Sequence, residues 1–167
     1  LKESGFGDGF SFELITAKGV PHVEQAAASL KSSFAKIGVD MTITPVSQAK
    51  MAEKNGQGTY DAFMRDWLTD YVDDPYYHFF LWWGTGVVIN WTGYSNTQVD
   101  KLYQSTADIV DDTQRRAPYR NAIRQLIKDS PMLWLADGDY TLAVRDDIEG
   151  ITLHPDTLLY LRPLKRK

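Results

Sequence analysis

Residues 67 to 83, WLTDYVDDPYYHFFLWW, hold eight aromatic residues and three aspartates in seventeen positions of a chain that is 13% aromatic overall. The chemistry open to this stretch begins at Asp70, with Trp67 three residues before it and Tyr71 directly after. A carboxylate between indole and phenol rings suits an ammonium group: the acid neutralises the charge, and the ring faces add cation–π attraction. A charge-assisted hydrogen bond of this kind contributes about 1.5–3 kcal/mol in a largely dry site. An acid that merely caps a helix fits the same residues. Phe79, Phe80 and Leu81, further along, read as core.

Other chemistries fit less well. Asp70, Asp73 and Asp74 suggest a glycosidase pair or a calcium loop, but an EF-hand counted from Asp70 would put Val72 and Pro75 where a ligand and a glycine belong. Asp74 and His78 are spaced i, i+4 and could share a metal, yet an acid near the positive end of a helix is the simpler reading. No GxSxG elbow is present. GFGDGF precedes a strand and is a turn, not a dinucleotide loop. The absence of cysteine removes thiol catalysis, disulfides and cysteine-held metals. A net charge of -4 and a pI near 5.3 argue against a nucleic-acid surface. No apolar run reaches the ~20 residues of a membrane span. A chain that opens on Leu1 with no apolar leader is expected to be a piece of a longer protein.

The elements that must position Asp70 follow from periodicity. FSFELIT (10–16) alternates as a strand. Pro21 opens a helix with Val23, Ala26, Ala27, Leu30, Phe34 and Ile37 on one face, closed by Gly38. VDMTITPV (39–46) is a second strand, so the chain starts as a βαβ unit with a parallel pair. A short helix at 47–55 and a third strand at 60–67 follow, which starts the aromatic segment where a strand ends. In open α/β sheets ligands gather there. Ser95 and Gln98 form a capping box for a helix carrying Val99, Leu102, Tyr103 and Ile109. DDTQ (111–114) starts another, with Tyr119, Ala122, Ile123, Leu126 and Ile127 buried and a kink or late start at Pro118. Strands are expected at 131–137 and 140–144, then a closing loop; with no repeat or linker, the whole is one compact α/β unit.

YDAFMRDWLTDYVDDP resembles the W-x-x-D-Y-x-D-P segment of the dipeptide- and oligopeptide-binding family of ABC-transporter substrate-binding proteins. The block from NWTGY to PMLWL is similar to the same family's next motifs, carried here by Asn90, Tyr94, Asn96, Val99, Asp100, Leu102, Asp112, Arg115 and Pro131; LKESGF and IEGI are similar as well. The resemblance runs in order over nearly the whole chain. It implies a periplasmic-binding-protein-like lobe, α/β, with a mixed sheet, a βαβ start and flanking helices, residues 1–167 being the single C-terminal ligand-binding lobe of a larger bilobed receptor. In peptide-binding members the motif aspartate takes the peptide's α-ammonium, which here is Asp70, and the tryptophan three residues earlier, Trp67, lines a side-chain pocket. Some members meet the peptide carboxylate with an upstream arginine; Arg65 is near that position and shares the face of Trp67 on a strand. The doubled Asp73 and Asp74 make the segment one residue longer than the shorter family form.

The expected ligand-binding residues are Asp70, Trp67, Tyr71, Arg65, Asn90 and Trp91. The expected function is capture of peptides, or a related amine-bearing solute, on the periplasmic or extracellular face of the membrane and delivery to an ABC permease. Lobe closure, not catalysis, does the work. Expected partners are the solute, the permease transmembrane subunits and the remaining lobes of the same chain, with no cofactor, metal or nucleic acid. The alternatives are a carbohydrate-active or metal-dependent hydrolase built on Asp70, Asp73 and Asp74, and a structural module whose aromatic run packs a partner.

Overall fold

β1 (Phe10–Ala17) is buried at every residue from Leu14 to Ala17, both on the even face and on the odd one. A strand covered on both sides sits in the middle of a parallel sheet with helices above and below. The computed structural model, which describes residues 1–66, 74–136, 138, 141–152 and 161–167, shows this arrangement. The chain folds as two compact units, Leu1–Trp67 and Leu68–Lys167.

In the first unit β2 (Val39–Val46) and β3 (Ala62–Met64) flank β1, all parallel, in the order β2-β1-β3. Phe10 pairs with Val39 and Ala17 with Val46 on one edge, and Leu14 to Thr16 pair with Ala62 to Met64 on the other. α1 (Pro21–Ala35) starts on a proline, which lacks only an N–H that the first turn leaves unused. Its Ala27 packs with Leu14 and Met41, while Met51 of α2 (Gln48–Gln57) packs with Ile15 and Ala17. Neighbouring residues of one strand point to opposite faces, so α1 and α2 cover opposite sides of the sheet. Strand order 2-1-3 with helices on both faces puts a topological switch point between β1 and β3, at their carboxyl ends. The chain leaves β3 there, through Arg65 and Asp66.

The predicted elements of this half form, with changes at their ends. β3 is three residues long instead of eight, and Ile37 lies past the end of α1 and is 56% exposed.

The second unit is built on α3 (Pro75–Trp83), α4 (Thr97–Gln104) and α5 (Asp112–Asp129). Its core holds Phe79, Val99, Tyr103, Tyr119, Ala122 and Leu126. The Phe79 ring lies between Tyr103 and Tyr119, with centroids at 6.0 and 5.6 Å and planes within 13° and 9° of parallel. An offset aromatic stack of this kind adds about 0.5–1.5 kcal/mol per pair beyond burial.

Several sequence expectations change here. Phe80 is 42% exposed and not core. Asn96, not Ser95, caps α4, because its Oδ1 accepts from the N–H of both Gln98 and Val99. Ile109 lies beyond that helix. α5 starts at Asp112, capped by Asp111, and continues through Pro118 without a late start. Ile123 and Ile127 stay 47% and 61% exposed. Residues 131–136 and 141–145 form no strand; β4 (Ile148–Glu149), inside the segment expected to be loop, pairs antiparallel with β5 (Lys165–Arg166) in the basic LKRK end. Asp147 braces that ribbon by accepting from Arg145 and Arg166 at 2.8 and 2.9 Å.

Candidate functional site

Trp67, Asp70, Tyr71 and Asp73 lie outside the described residues; Arg65, Asp74, Asn90 and Trp91 lie within them. Arg65 leaves β3 half-buried, and its Nε donates to the Asp66 carbonyl at 3.4 Å. Burial lowers its pKa from the ordinary arginine value, with Asp66 acting in the opposite sense. Asp66 Oδ2 accepts a hydrogen bond from His22 Nε2 at 3.0 Å, which ties the chain beyond β3 to the first turn of α1.

Asp74 is the first described residue of the second unit. It has extended backbone (φ -144°, ψ 120°), as a residue before proline prefers. Because Pro75 has no N–H, the Asp74 carboxylate caps α3 through the Tyr76 N–H at 2.8 Å. The same oxygen accepts from Arg115 Nη2 at 2.5 Å, and Arg115 Nη2 also donates to Tyr119 Oη at 2.8 Å. Tyr119 Oη in turn shares a hydrogen bond with Thr106 Oγ1 at 2.7 Å. The Arg115 hydrogen bond holds the Asp74 carboxyl below the usual carboxylate range, and the Arg115 pKa is raised by the same partner. Asp74 is therefore an ion-paired helix cap.

Asn90 and Trp91 occupy the loop between α3 and α4. Asn90 is 9% exposed, and its Nδ2 donates to the carbonyls of Gly84 and Tyr94 at 3.1 and 2.8 Å. Its Oδ1 accepts from Thr92 Oγ1 at 2.8 Å. All of these partners lie in the same loop, so Asn90 sets the loop's shape. Trp91 meets Trp82 edge to face at 6.3 Å.

An open apolar cavity of about 550 Å³ lies between α3 and α5, lined by Phe79, Trp83, Ile123, Ile127 and Trp134 among others. His78 also lines it, and its buried Nδ1 has no partner among the described residues. Among the described residues no group of three His, Asp or Glu could hold a metal ion. No helix among them is long and apolar enough to cross a membrane. Arg115 stands among the motif residues named from the sequence, but its pairing with Asp74 was missed there. Its one local signal is position: a charged residue at the head of the stripe Tyr119, Ala122, Leu126 on the buried face of α5.

Residues 1–88 match the family model for bacterial extracellular solute-binding proteins, family 5, middle region. The chain belongs to that family. Among family-5 and related binding proteins, it is 30% identical over 138 residues to the probable D,D-dipeptide-binding periplasmic protein DdpA of Escherichia coli, which covers 81% of this chain and 27% of that protein. The oligopeptide-binding protein AppA of Bacillus subtilis is 26% identical over 156 residues, 92% of this chain and 28% of its own. The whole chain superposes on 34% of a dipeptide-binding protein from Pseudoalteromonas sp. SM9913, solved in complex with Met-Leu, with a TM-score of 0.85 and 25% identity. This family-5 chain thus spans about a third or less of these relatives, all of which are named as binding proteins.

Proposed function

We propose that the chain is the C-terminal ligand-binding lobe of a longer, bilobed receptor that takes up peptides, or a related amine-bearing solute, outside the cytoplasmic membrane. The receptor passes its ligand unaltered to the transmembrane subunits of an ABC permease. The observation that carries this reading is the superposition of the whole chain on a dipeptide receptor solved with Met-Leu. The fold supports it as well, because the chain leaves β3 at a switch point, where open α/β sheets collect ligands.

Asp70 meets the ligand ammonium, and Trp67 and Tyr71 wall it. Arg65, already partly desolvated, lies two residues before Trp67 and suits a ligand carboxylate. Trp91 offers a further aromatic wall, on a loop whose shape Asn90 sets. Backbone hydrogen bonds do not read side chains, so such a site accepts varied peptides.

The test is calorimetric titration of the full-length receptor with alanine peptides of two to four residues, each with a free and an N-acetylated amine. Asp70→Asn is expected to weaken the free-amine peptides about 10-fold or more and to leave the acetylated ones nearly unchanged. Mass spectrometry is expected to recover every peptide intact. Equal affinity of the wild-type receptor for both series, or cleavage of the peptides, would overturn the reading.

A further inference from the structure

Resting on the receptor reading above, we propose that the exposed face of α5 and the apolar cavity at its edge form a docking surface. It takes an acidic protein face, that of the permease transmembrane subunits outside the membrane.

Arg116, Arg120, Arg124 and Lys128 are spaced four apart on α5, and all are exposed. Residues four apart on a helix lie on one face, so the cations form a row about 18 Å long, one about every 6 Å. In a chain of net charge -4 this row concentrates the opposite sign. Little within the fold neutralises it. Arg115, next to the row, is engaged by Asp74 and Tyr119, whereas Arg116, Arg120 and Arg124 have no ion-pair or hydrogen-bond partner among the described residues. Lys128 stands beside Asp129, whose carboxylate already accepts from Tyr94, Asn96 and Gln125. Like charges one turn apart oppose helix formation. The row repeats that conflict from Arg116 to Lys128, and uncompensated local conflicts belong to functional surfaces.

A row of charges can be merely solvated, and the apolar surface beside it separates the two cases. Ile123 and Ile127 stand three residues after Arg120 and Arg124, stay exposed, and line the α3–α5 cavity with Trp83 and Trp134. The cations therefore border an apolar hollow of about 550 Å³. A pocket for one anchoring side chain, rimmed by charge, is the anatomy of a protein–protein contact. A lipid surface offers anionic charge but no side chain to fill a hollow, so the concavity favours a protein. His78 lines the same hollow, and its buried Nδ1 lacks a partner among the described residues. A tyrosine or tryptophan anchor would bring a polar tip as well as a ring. The partner's face is thus acidic, with an aromatic anchor among its acids.

The test measures binding of the full-length receptor to the permease in phosphatidylcholine nanodiscs, by surface plasmon resonance at about 50 and about 300 mM salt. Arg120→Glu places an acid one turn from both Arg116 and Arg124, so this variant is expected to melt no lower than wild type. It is expected to weaken permease binding about tenfold at the lower salt, chiefly through slower association, and about twofold at the higher. Ile127→Ala is expected to weaken binding about threefold at both, through faster dissociation. Affinity for alanine peptides should stay within about twofold of wild type in both variants. Unchanged permease binding in Arg120→Glu would overturn the proposal. A lowered melting temperature in that variant would do the same, because the row would then face the remainder of the receptor. Wild-type binding to phosphatidylglycerol vesicles without permease, lost in Arg120→Glu, would make the surface a lipid contact and overturn it too. A wild-type receptor that takes peptide but never binds the permease removes the delivery reading itself. Wild-type binding that survives in both variants removes only the surface assigned to α5.

Discussion

A methyl group on Gly9 would lie 1.8 Å from the carbonyl oxygen of Gly38. The two glycines immediately precede Phe10 and Val39, the first paired residues of β1 and β2, and both have φ of +81°. They differ in one respect: a methyl on Gly38 would meet only the Gly9 Cα, at 3.9 Å. Gly38→Ala therefore suffers backbone strain alone, about 1–2 kcal/mol, whereas Gly9→Ala adds a collision with main chain that cannot rotate away. Urea denaturation is expected to show Gly9→Ala as clearly the less stable of the two. Equal losses would mean that the strand ends separate freely at this point.

Asp74 makes stability depend on pH in a defined direction. Its carboxyl titrates below the ordinary value in the folded chain, chiefly through its hydrogen bond from Arg115. A depressed folded pKa contributes stability that is fully present above the unfolded value, about 3.9, and is lost as pH falls toward the folded value. The difference in unfolding free energy between wild type and Asp74→Asn is thus expected to be constant from pH 7 to about 5 and to shrink below about 4. Asp129 and Asp147, also shifted downward, act in the same sense in both proteins and cancel in the comparison. A difference that persists unchanged at pH 2 would show that the Asp74 charge is not what matters.

Elements governed by local rules were legible before the structure. β1, β2 and α1 follow from alternation, from Pro21 and from the apolar stripe Val23, Ala27, Leu30. Elements that need a distant partner were not. Leu133, Trp134, Leu135, Leu142 and Val144 have the composition of strands, but a strand exists only beside another strand, and 131–136 and 141–145 have none among the described residues. The cap of α4 was misplaced by one residue because Ser95 and Asn96 are both good caps, and only geometry shows whose oxygen reaches Gln98 and Val99. At the candidate site, the segment around Asp70 stood out by composition. The Asp74–Arg115 pair did not, since a contact across 41 positions leaves no local pattern.

Leu126 and Ile127 are neighbours on α5 with opposite surroundings, 4% and 61% exposed. Leu126→Ala empties space in the core beside Phe79 and Ala122 and is expected to cost about 2–5 kcal/mol. Ile127→Ala, on the open rim of the α3–α5 cavity, is expected to change stability by no more than about 0.5 kcal/mol. Thermal melts of the two variants decide the matter. A large loss in Ile127→Ala would mean that the cavity rim is covered in solution.

Asn90 separates a contact that shapes the loop from one that grips the ligand. Its amide donates to Gly84 and Tyr94 and accepts from Thr92, so every polar atom of the side chain has a partner inside the loop that carries Trp91. Asn90→Ala leaves two carbonyls without their donors and is expected to destabilise the protein by about 1–3 kcal/mol. Asn90→Asp is expected to be worse, because it removes both donors and brings a negative charge against the same two carbonyl oxygens. Peptide affinity should fall in both variants only as far as the loop loosens, alike for free-amine and acetylated peptides. If Asn90→Ala keeps the wild-type melting temperature and loses peptide affinity, Asn90 touches the ligand directly and the loop holds its shape by other means.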